Sequence, residues 1–254
     1  MRYERLAIPL KTKEEIEIMR RAGRIVARTL QMVGENIRPG MTTGELDRLI
    51  EDFIRSQGAQ PAFKGYRGFP AAACISVDSE VVHGIPGDRA IMEGDIVSVD
   101  TGSLLDGFYG DSARTYAIGE VSPDKARLME VTMNSLMAGI DNARKGCKLG
   151  GVSAAVQKTA EAEGYGVVRE LVGHGIGRNM HEEPQVPNFG PEDAGPVLKT
   201  GMVLAIEPMI NMGTYRVKTL SDGWTVVTAD GQPSAHFEHT VAVGENGTEI
   251  LTVV

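Results

Sequence analysis

The feature that most constrains this 254-residue chain is a repeat inside it. RPGMTTG at 38–44 matches RKGCKLG at 144–150, an offset of 106, and GDIVSVD at 94–100 matches GMVLAIE at 201–207, an offset of 107. Glycine-rich turns recur by chance, but two matches at nearly one offset mark a duplicated supersecondary unit. Both copies of the second segment end in a carboxylate, Asp100 in the first and Glu207 in the second. His83-Gly84-Ile85 also echoes His174-Gly175-Ile176, at the discordant offset of 91. The chain is therefore expected to form one α+β domain over residues 1–254. Its two similar halves, roughly 12–120 and 121–254, would hold a site between them.

Local patterns agree with two copies of helix, helix, strands. Ile16, Met19, Ala22, Val26, Leu30 and Val33 step by three and four, which predicts an amphipathic helix. Thr12 with Glu15 resembles a capping box at its start, and NIRPG at 36–40 ends it. Thr43 is expected to cap a second helix with Leu46, Leu49, Ile50 and Phe53 on one face. Strand-like runs follow at 73–77, 95–101 and 108–119. Pro123 opens a helix pair, roughly 124–143 and 151–163, split by Arg144-Lys145-Gly146. Strand-like runs return at YGVVREL, MVLAIEP, WTVVTA and HFEHTVAVG.

Composition narrows the functional classes. Hydrophobic residues make up 42% and charged residues 24%, an ordinary globular profile, and no apolar stretch nears the ~20 residues of a membrane span. The opening MRYERLAIPLKTKEE lacks the apolar core of a secretory signal, and Cys74 and Cys147 are too few for a disulfide framework. A reducing cytoplasm is the expected location. A net charge of −8 argues against sequence-specific nucleic-acid binding. Residues 1–28 are a local exception, with Arg2, Arg5, Lys11, Lys13, Arg20, Arg21, Arg24 and Arg28 against four Glu. That run reads first as a solvated helix face and second as a contact with an acidic surface such as ribosomal RNA.

Five polar residues stand where strands should be apolar: Asp100 in VSVD, Asp111 in FYGD, His174 in LVGH, Glu207 in LAIE and Glu238 in HFEH. One carboxylate beside a strand is usually an exposed strand end; five from separate segments imply convergence. Four converging carboxylates repel one another unless protonated or neutralised. Two divalent cations would match their charge, and carboxylates with one imidazole suit Mn, Fe, Co or Zn better than a structural zinc site does. Asp106-Gly107 can supply a tight turn that sets Asp100 and Asp111 side by side on a hairpin. Two neighbouring ions can activate a water at neutral pH, which implies metal-assisted hydrolysis. GHGIGRNMHEEPQV at 173–186 is the most specific stretch. His181 lies seven residues after His174, too far for a one-turn metal pair, and better suits a donor to a substrate carbonyl or oxyanion. His83, in VVHGIPG, is a third candidate. No GxSxG occurs, and neither cysteine sits in a nucleophile motif.

VVHGIP, DIVSVDTGSLLDGFYGDSARTY, GHGIGRNMHEEPQVPNFG, GMVLAIEPMI and SAHFEHTVAV resemble the signature segments of type I methionine aminopeptidases, from about residue 10 to the end. The resemblance implies the pita-bread fold of aminopeptidase P, prolidase and creatinase, two pseudo-symmetric halves around a curved antiparallel sheet. It implies a dinuclear site with Asp100, Asp111, His174, Glu207 and Glu238 as ligands, and Glu207 handling the proton of the bridging water. By the same resemblance His181 contacts the scissile carbonyl, and His83 assists nearer the amino end and amide. Tyr66, Phe69, Cys74 and Trp224 would line the methionine pocket, with Phe63 and Met180 at its margin. His236 stands where glutamine is frequent, which leaves fine substrate preference open. Twenty-five residues between His181 and Glu207 leave no room for the long insertion of type II enzymes, so a short bacterial-type enzyme is expected. The implied substrate is a peptide with N-terminal Met and a small second residue; a monomer, with no membrane partner, is expected.

Overall fold

Thr12 opens the first helix as expected, its hydroxyl accepting from the Glu15 amide while the Glu15 carboxylate caps the Thr12 amide. The computed structural model describes residues 7–254, so Arg2 and Arg5 of the basic run lie outside the described residues. Helix α1 spans Lys13–Asn36 and α2 Thr43–Ser56; the second pair, α3 and α4, spans Pro123–Asn142 and Leu149–Ala162. Strands of the first half are β1 (Gln60–Pro61), β2 (Ala73–Val77), β3 (Glu80–Val82), β4 (Ile96–Leu105) and β5 (Phe108–Ala117). The second half begins with β6 (Gly166–Val167), β7 (Gly173–Gly175), β8 (Glu182–Val186), β9 (Val203–Ile206) and β10 (Met209–Asn211). It ends with β11 (Val217–Thr219), β12 (Val226–Thr228), β13 (Ser234–His236), β14 (His239–Val243) and β15 (Thr248–Ile250).

All pairings of named strands are antiparallel. Among the described residues they form four groups: β1-β4-β2 with β5 on β4, β13-β10-β6, β11-β12-β3, and β15-β14-β9-β7-β8. Each half has its own apolar core. Val26, Val33, Leu46 and Ile50 pack with Ile75, Val97 and Val99 in the first, and Leu128, Leu136 and Val152 with Leu204, Ile206 and Val241 in the second.

The repeat is written into the hydrogen bonds. Gly40 donates to Ile91 O at 2.8 Å and Gly146 to Leu198 O at 2.9 Å; Ile91 donates to Met41 O and Leu198 to Cys147 O, both at 2.8 Å. Isolated bridges join Thr42 to Ala90 and Lys148 to Val197. The glycines of the matched segments share a left-handed backbone that a Cβ would strain, with φ of 85° and 86° at Gly40 and Gly146, and 86° and 88° at Gly94 and Gly201. The HGI echo is different: His174 lies inside β7, whereas His83 follows β3 with φ of 60°.

Three local expectations shift. Thr42, not Thr43, caps α2 in a second reciprocal box with Glu45, while the Thr43 hydroxyl meets Gly87. Ile54 fills the buried helix position in place of Leu49, which is exposed. YGVVREL yields a strand only at Gly166–Val167, and HFEHTVAVG breaks between His236 and His239, leaving Phe237 and Glu238 outside the ladders.

Candidate active site

Asp106 and Gly107 adopt φ of 49° and 79°, the two left-handed residues that a tight hairpin turn needs. The turn sets the β4–β5 register so that Asp100 faces Ala113 and Asp111 faces Gly102. The two carboxylates thus sit diagonally on one face, as the sequence predicts. Gly102 is bare for a packing reason: a Cβ there would lie 3.0 Å from Ala62, from the Gly110 carbonyl and from the Phe63 ring.

Hydroxyls of β5 and β14 then stitch the first half to the second. Thr240 Oγ1 donates to Asp111 O at 2.7 Å and accepts from Asp111 N at 3.2 Å. Ser112 Oγ donates to Glu238 O at 2.5 Å, and Glu238 N donates to Ala113 O at 3.0 Å. Thr115 Oγ1 donates to His236 O and accepts from His236 N, at 2.8 and 3.0 Å. Asn188 Nδ2 holds the Glu207 carbonyl at 3.0 Å. These hydroxyl and amide contacts escaped the sequence reading, because Ser, Thr and Asn carry no distinctive signal; alternation of polar residues along β5 is the nearest one.

All five proposed ligands line one cavity of about 150 Å³. His174 is 8% exposed, Asp111 5% and Glu238 2%, and one ligand atom from each lies within 4.8 Å of the others. His174 Nε2 is 3.5 Å from Glu207 Oε1 and 3.8 Å from Asp111 Oδ2. Its Nδ1 lies 2.9 Å from Gly175 O, so the proton belongs on Nδ1 and the Nε2 lone pair faces the carboxylates. Asp100 Oδ1, Asp111 Oδ1 and Glu238 Oε1 are buried without a hydrogen-bond partner. Buried oxygens without protein partners, around an imidazole nitrogen free to ligate, fit divalent cations.

Electrostatics gives the same answer. Burial first, then mutual repulsion, pushes Asp100, Glu207 and Glu238 well above the usual carboxylate range, and burial raises Asp111 to about 7. Burial lowers His174 to about 4.

The rest of the cavity is an aromatic wall. Phe63, Tyr66, Arg67, Phe69, Met180 and Trp224 line it with His83 and His181. Trp224 meets Phe69 edge-on at 5.1 Å and His83 at 6.3 Å. Cys74 is buried in the same apolar cluster without lining the cavity, and faces Asp100 across the β2–β4 ladder. Tyr66 does more than line: its hydroxyl lies 2.9 Å from His181 Nδ1, and the two rings stack at 5.3 Å. His181 also rests on His174, ring centroids 4.2 Å apart, and burial with the nearby His174 and Arg67 charges lowers it to about 3. Burial lowers His83. Arg67, an exposed residue at the rim with φ of 49°, was absent from the expected set.

A buried carboxylate–imidazole centre beside an apolar pocket, on a duplicated α+β scaffold, is the architecture of a metallopeptidase. Residues 17–245 match the model of metallopeptidase family M24, and the chain belongs to that family. The methionine aminopeptidase of Clostridium perfringens is 54% identical over 247 residues, covering 97% of this chain and 99% of its own. A crystal structure of methionine aminopeptidase from Thermotoga maritima superposes with a TM-score of 0.96 at 47% identity, covering 98% of this chain and all of that one. Prolidase from Pyrococcus furiosus gives 0.80 at 26% identity, covering 96% of this chain and 65% of that one. The fold is the expected pita-bread fold. Among the described residues no helix is long and apolar enough to cross a membrane.

Proposed function

We propose that this chain removes the N-terminal methionine from peptides and nascent proteins, preferring a small second residue. The observation that carries the reading is a narrow apolar cavity ending on buried carboxylate oxygens that have no protein partner. Asp100, Asp111, His174, Glu207 and Glu238 would hold two divalent ions drawn from Co, Mn, Fe or Zn. When bound, such ions polarise a carbonyl and acidify water, which supplies Lewis-acid hydrolysis.

The chain's own groups supply the remainder. Phe69 and Trp224, with Phe63 and Met180 at the margin, receive one unbranched apolar side chain and exclude water. With the Tyr66 hydroxyl donating to His181 Nδ1, the Nε2–H of His181 is left to donate to the substrate carbonyl oxygen as charge develops. Neutral His83, held at positive φ beside Trp224, assists at the amide near the amino end. Glu207 accepts the proton of the attacking water and returns it to the leaving amine.

Residues 1–254 act as one catalytic domain, a cytoplasmic monomer without membrane or sequence-specific nucleic-acid partners. Ribosome docking through the basic face of α1 is a subordinate part of this reading. Arg20 is already paired with Glu249 and Glu17, and Arg21 with Asp106. Chelation followed by add-back of Co, Mn, Fe or Zn tests the main reading. Cleavage of Met-Ala-Ser should vanish and return, with Ala-Pro peptides uncut; metal-independent cleavage, or preference for Ala-Pro, refutes it.

A further inference from the structure

We propose that Lys11 is a positioning residue for His181, acting through Glu182; the inference rests on the aminopeptidase reading. Lys11 Nζ lies 2.6 Å from Glu182 Oε2, with the two side chains only 5% and 6% exposed. Burying such a pair costs much of its Coulombic gain in lost hydration, so stability alone is a poor reason for it. What the pair controls is the turn that carries His181. The other oxygen of Glu182 accepts from the Asn179 amide at 3.0 Å, so one carboxylate closes the turn around Met180 and His181, both of which line the cavity.

The anchor is itself fixed. Lys11 N donates to Gly201 O at 2.7 Å. The ammonium reaches the turn past Gly177, where a Cβ would lie 2.4 Å from Lys11 Cε and 2.9 Å from Glu182 Oε1. Beyond it, Arg178 pairs with Glu15 at 3.0 Å and lies over the Phe108 ring at 4.4 Å, while Gly177 O accepts from Tyr109 N at 2.9 Å. Residues 11–15 of the first half thus clamp the turn 177–182 of the second. Tyr66 and the His174 ring hold the His181 imidazole at the cavity, and the turn sets where its backbone delivers that ring to them.

A double-mutant cycle on the metal-loaded protein tests this. Lys11→Met should lower kcat on Met-Ala-Ser by about 10- to 100-fold, the scale of a misplaced catalytic group, with KM little changed. Metal content should match that of the unmutated protein, and Lys11→Arg, which keeps the charge, should recover most of the rate. In a His181→Ala background the same Lys11→Met change should cost less than about twofold. An equal loss in both backgrounds, a loss that follows metal content, or no loss at all overturns the proposal. Should Lys11→Met fail to melt cooperatively, Glu182→Gln runs the same cycle with the same expected outcomes. Unmutated protein that leaves Met-Ala-Ser uncut with every metal would refute the underlying activity instead, so the two failures are distinguishable.

Discussion

The two halves place a carboxylate at the same point and then part company. After Asp100 the chain runs on, reverses at Asp106-Gly107 and returns as β5, paired without interruption from Ile96–Ala117 to Leu105–Phe108. After Glu207 the equivalent hairpin is opened: β9 pairs with β14 through Ile206–His239, and residues 207–238 carry β10 to β13. Asp111 faces Gly102, two positions after Asp100; His236 faces Met209, two positions after Glu207. Where the first half places Asp111, a proposed ligand, the second places the imidazole of His236, and its inserted strands bring Trp224 to the pocket. The duplicated positions place two of the five proposed ligands, Asp100 and Glu207, while the places where the copies diverge bring Asp111, His174 and Glu238 to the same cavity together with its aromatic wall. The turn of His181 and the loop of Tyr66 and Phe69 belong to the divergent parts as well.

The severest way to break this comparison is to remove the shared carboxylates singly. If Asp100 and Glu207 serve equivalent ends of one centre, Asp100→Asn and Glu207→Gln should each reduce kcat/KM on Met-Ala-Ser by about 10³-fold or more. Elemental analysis of the purified variants should show metal content falling in both. Full metal content in either would end the equivalence of the halves at this position.

Asp111 and His236 sharpen the comparison through pH, since they occupy matching places with opposite chemistry. Folding raises Asp111 from 3.8 to about 7, so the folded metal-free protein holds a proton that the unfolded chain has released. Its contribution therefore turns unfavourable as pH rises from about 4 to about 7. Folding lowers His236 from 6.5 to about 3, so stability is lost as pH falls through that window. Each effect is ~4 kcal/mol in scale. Asp111→Asn should raise the melting temperature of metal-free protein at pH 8, with the gain shrinking toward pH 4. His236→Gln should help at acid pH and little at pH 8. Melting curves across that range check both signs, and identical curves for the two variants would erase the distinction between the halves.

How much of this was legible beforehand follows from the same division. The convergence of Asp100, Asp111, His174, Glu207 and Glu238 on one cavity was readable because a carboxylate or imidazole ending an apolar run violates burial rules five times over, and because Asp100 and Glu207 share a repeat offset. Helices were readable from their period and caps, with a one-residue error at Thr42, since adjacent threonines offer the same cap chemistry. The stitching hydroxyls of Ser112, Thr115 and Thr240 were not readable, because their partners are backbone atoms more than a hundred residues away. Tyr66 was assigned to the pocket but not to His181, a partnership created only when two divergent loops meet. Cys74 fits the wall by type, yet its place opposite Asp100 buries it within the cluster.

The smallest expected effect concerns the inserted strands. Trp224 stands at the cavity with its amide tied to Asp222 Oδ1 at 2.9 Å, and Thr225 secures the same carboxylate at 2.6 Å. None of these groups is a proposed ligand. Trp224→Ala should therefore leave metal content and the pH profile of kcat unchanged while raising KM for Met-Ala-Ser about tenfold, a loss of ~1.4 kcal/mol in binding. It should also narrow the preference for Met over Leu at the amino terminus, because the wall that limits branching is gone. The chain's one tryptophan offers an independent reading: added methionine should shift the emission of the unmutated protein, and alanine should not. If Trp224→Ala lowers kcat and metal content together, the inserted strands are part of the reaction centre itself, and the division between a metal frame and a pocket wall built on inserted strands does not hold.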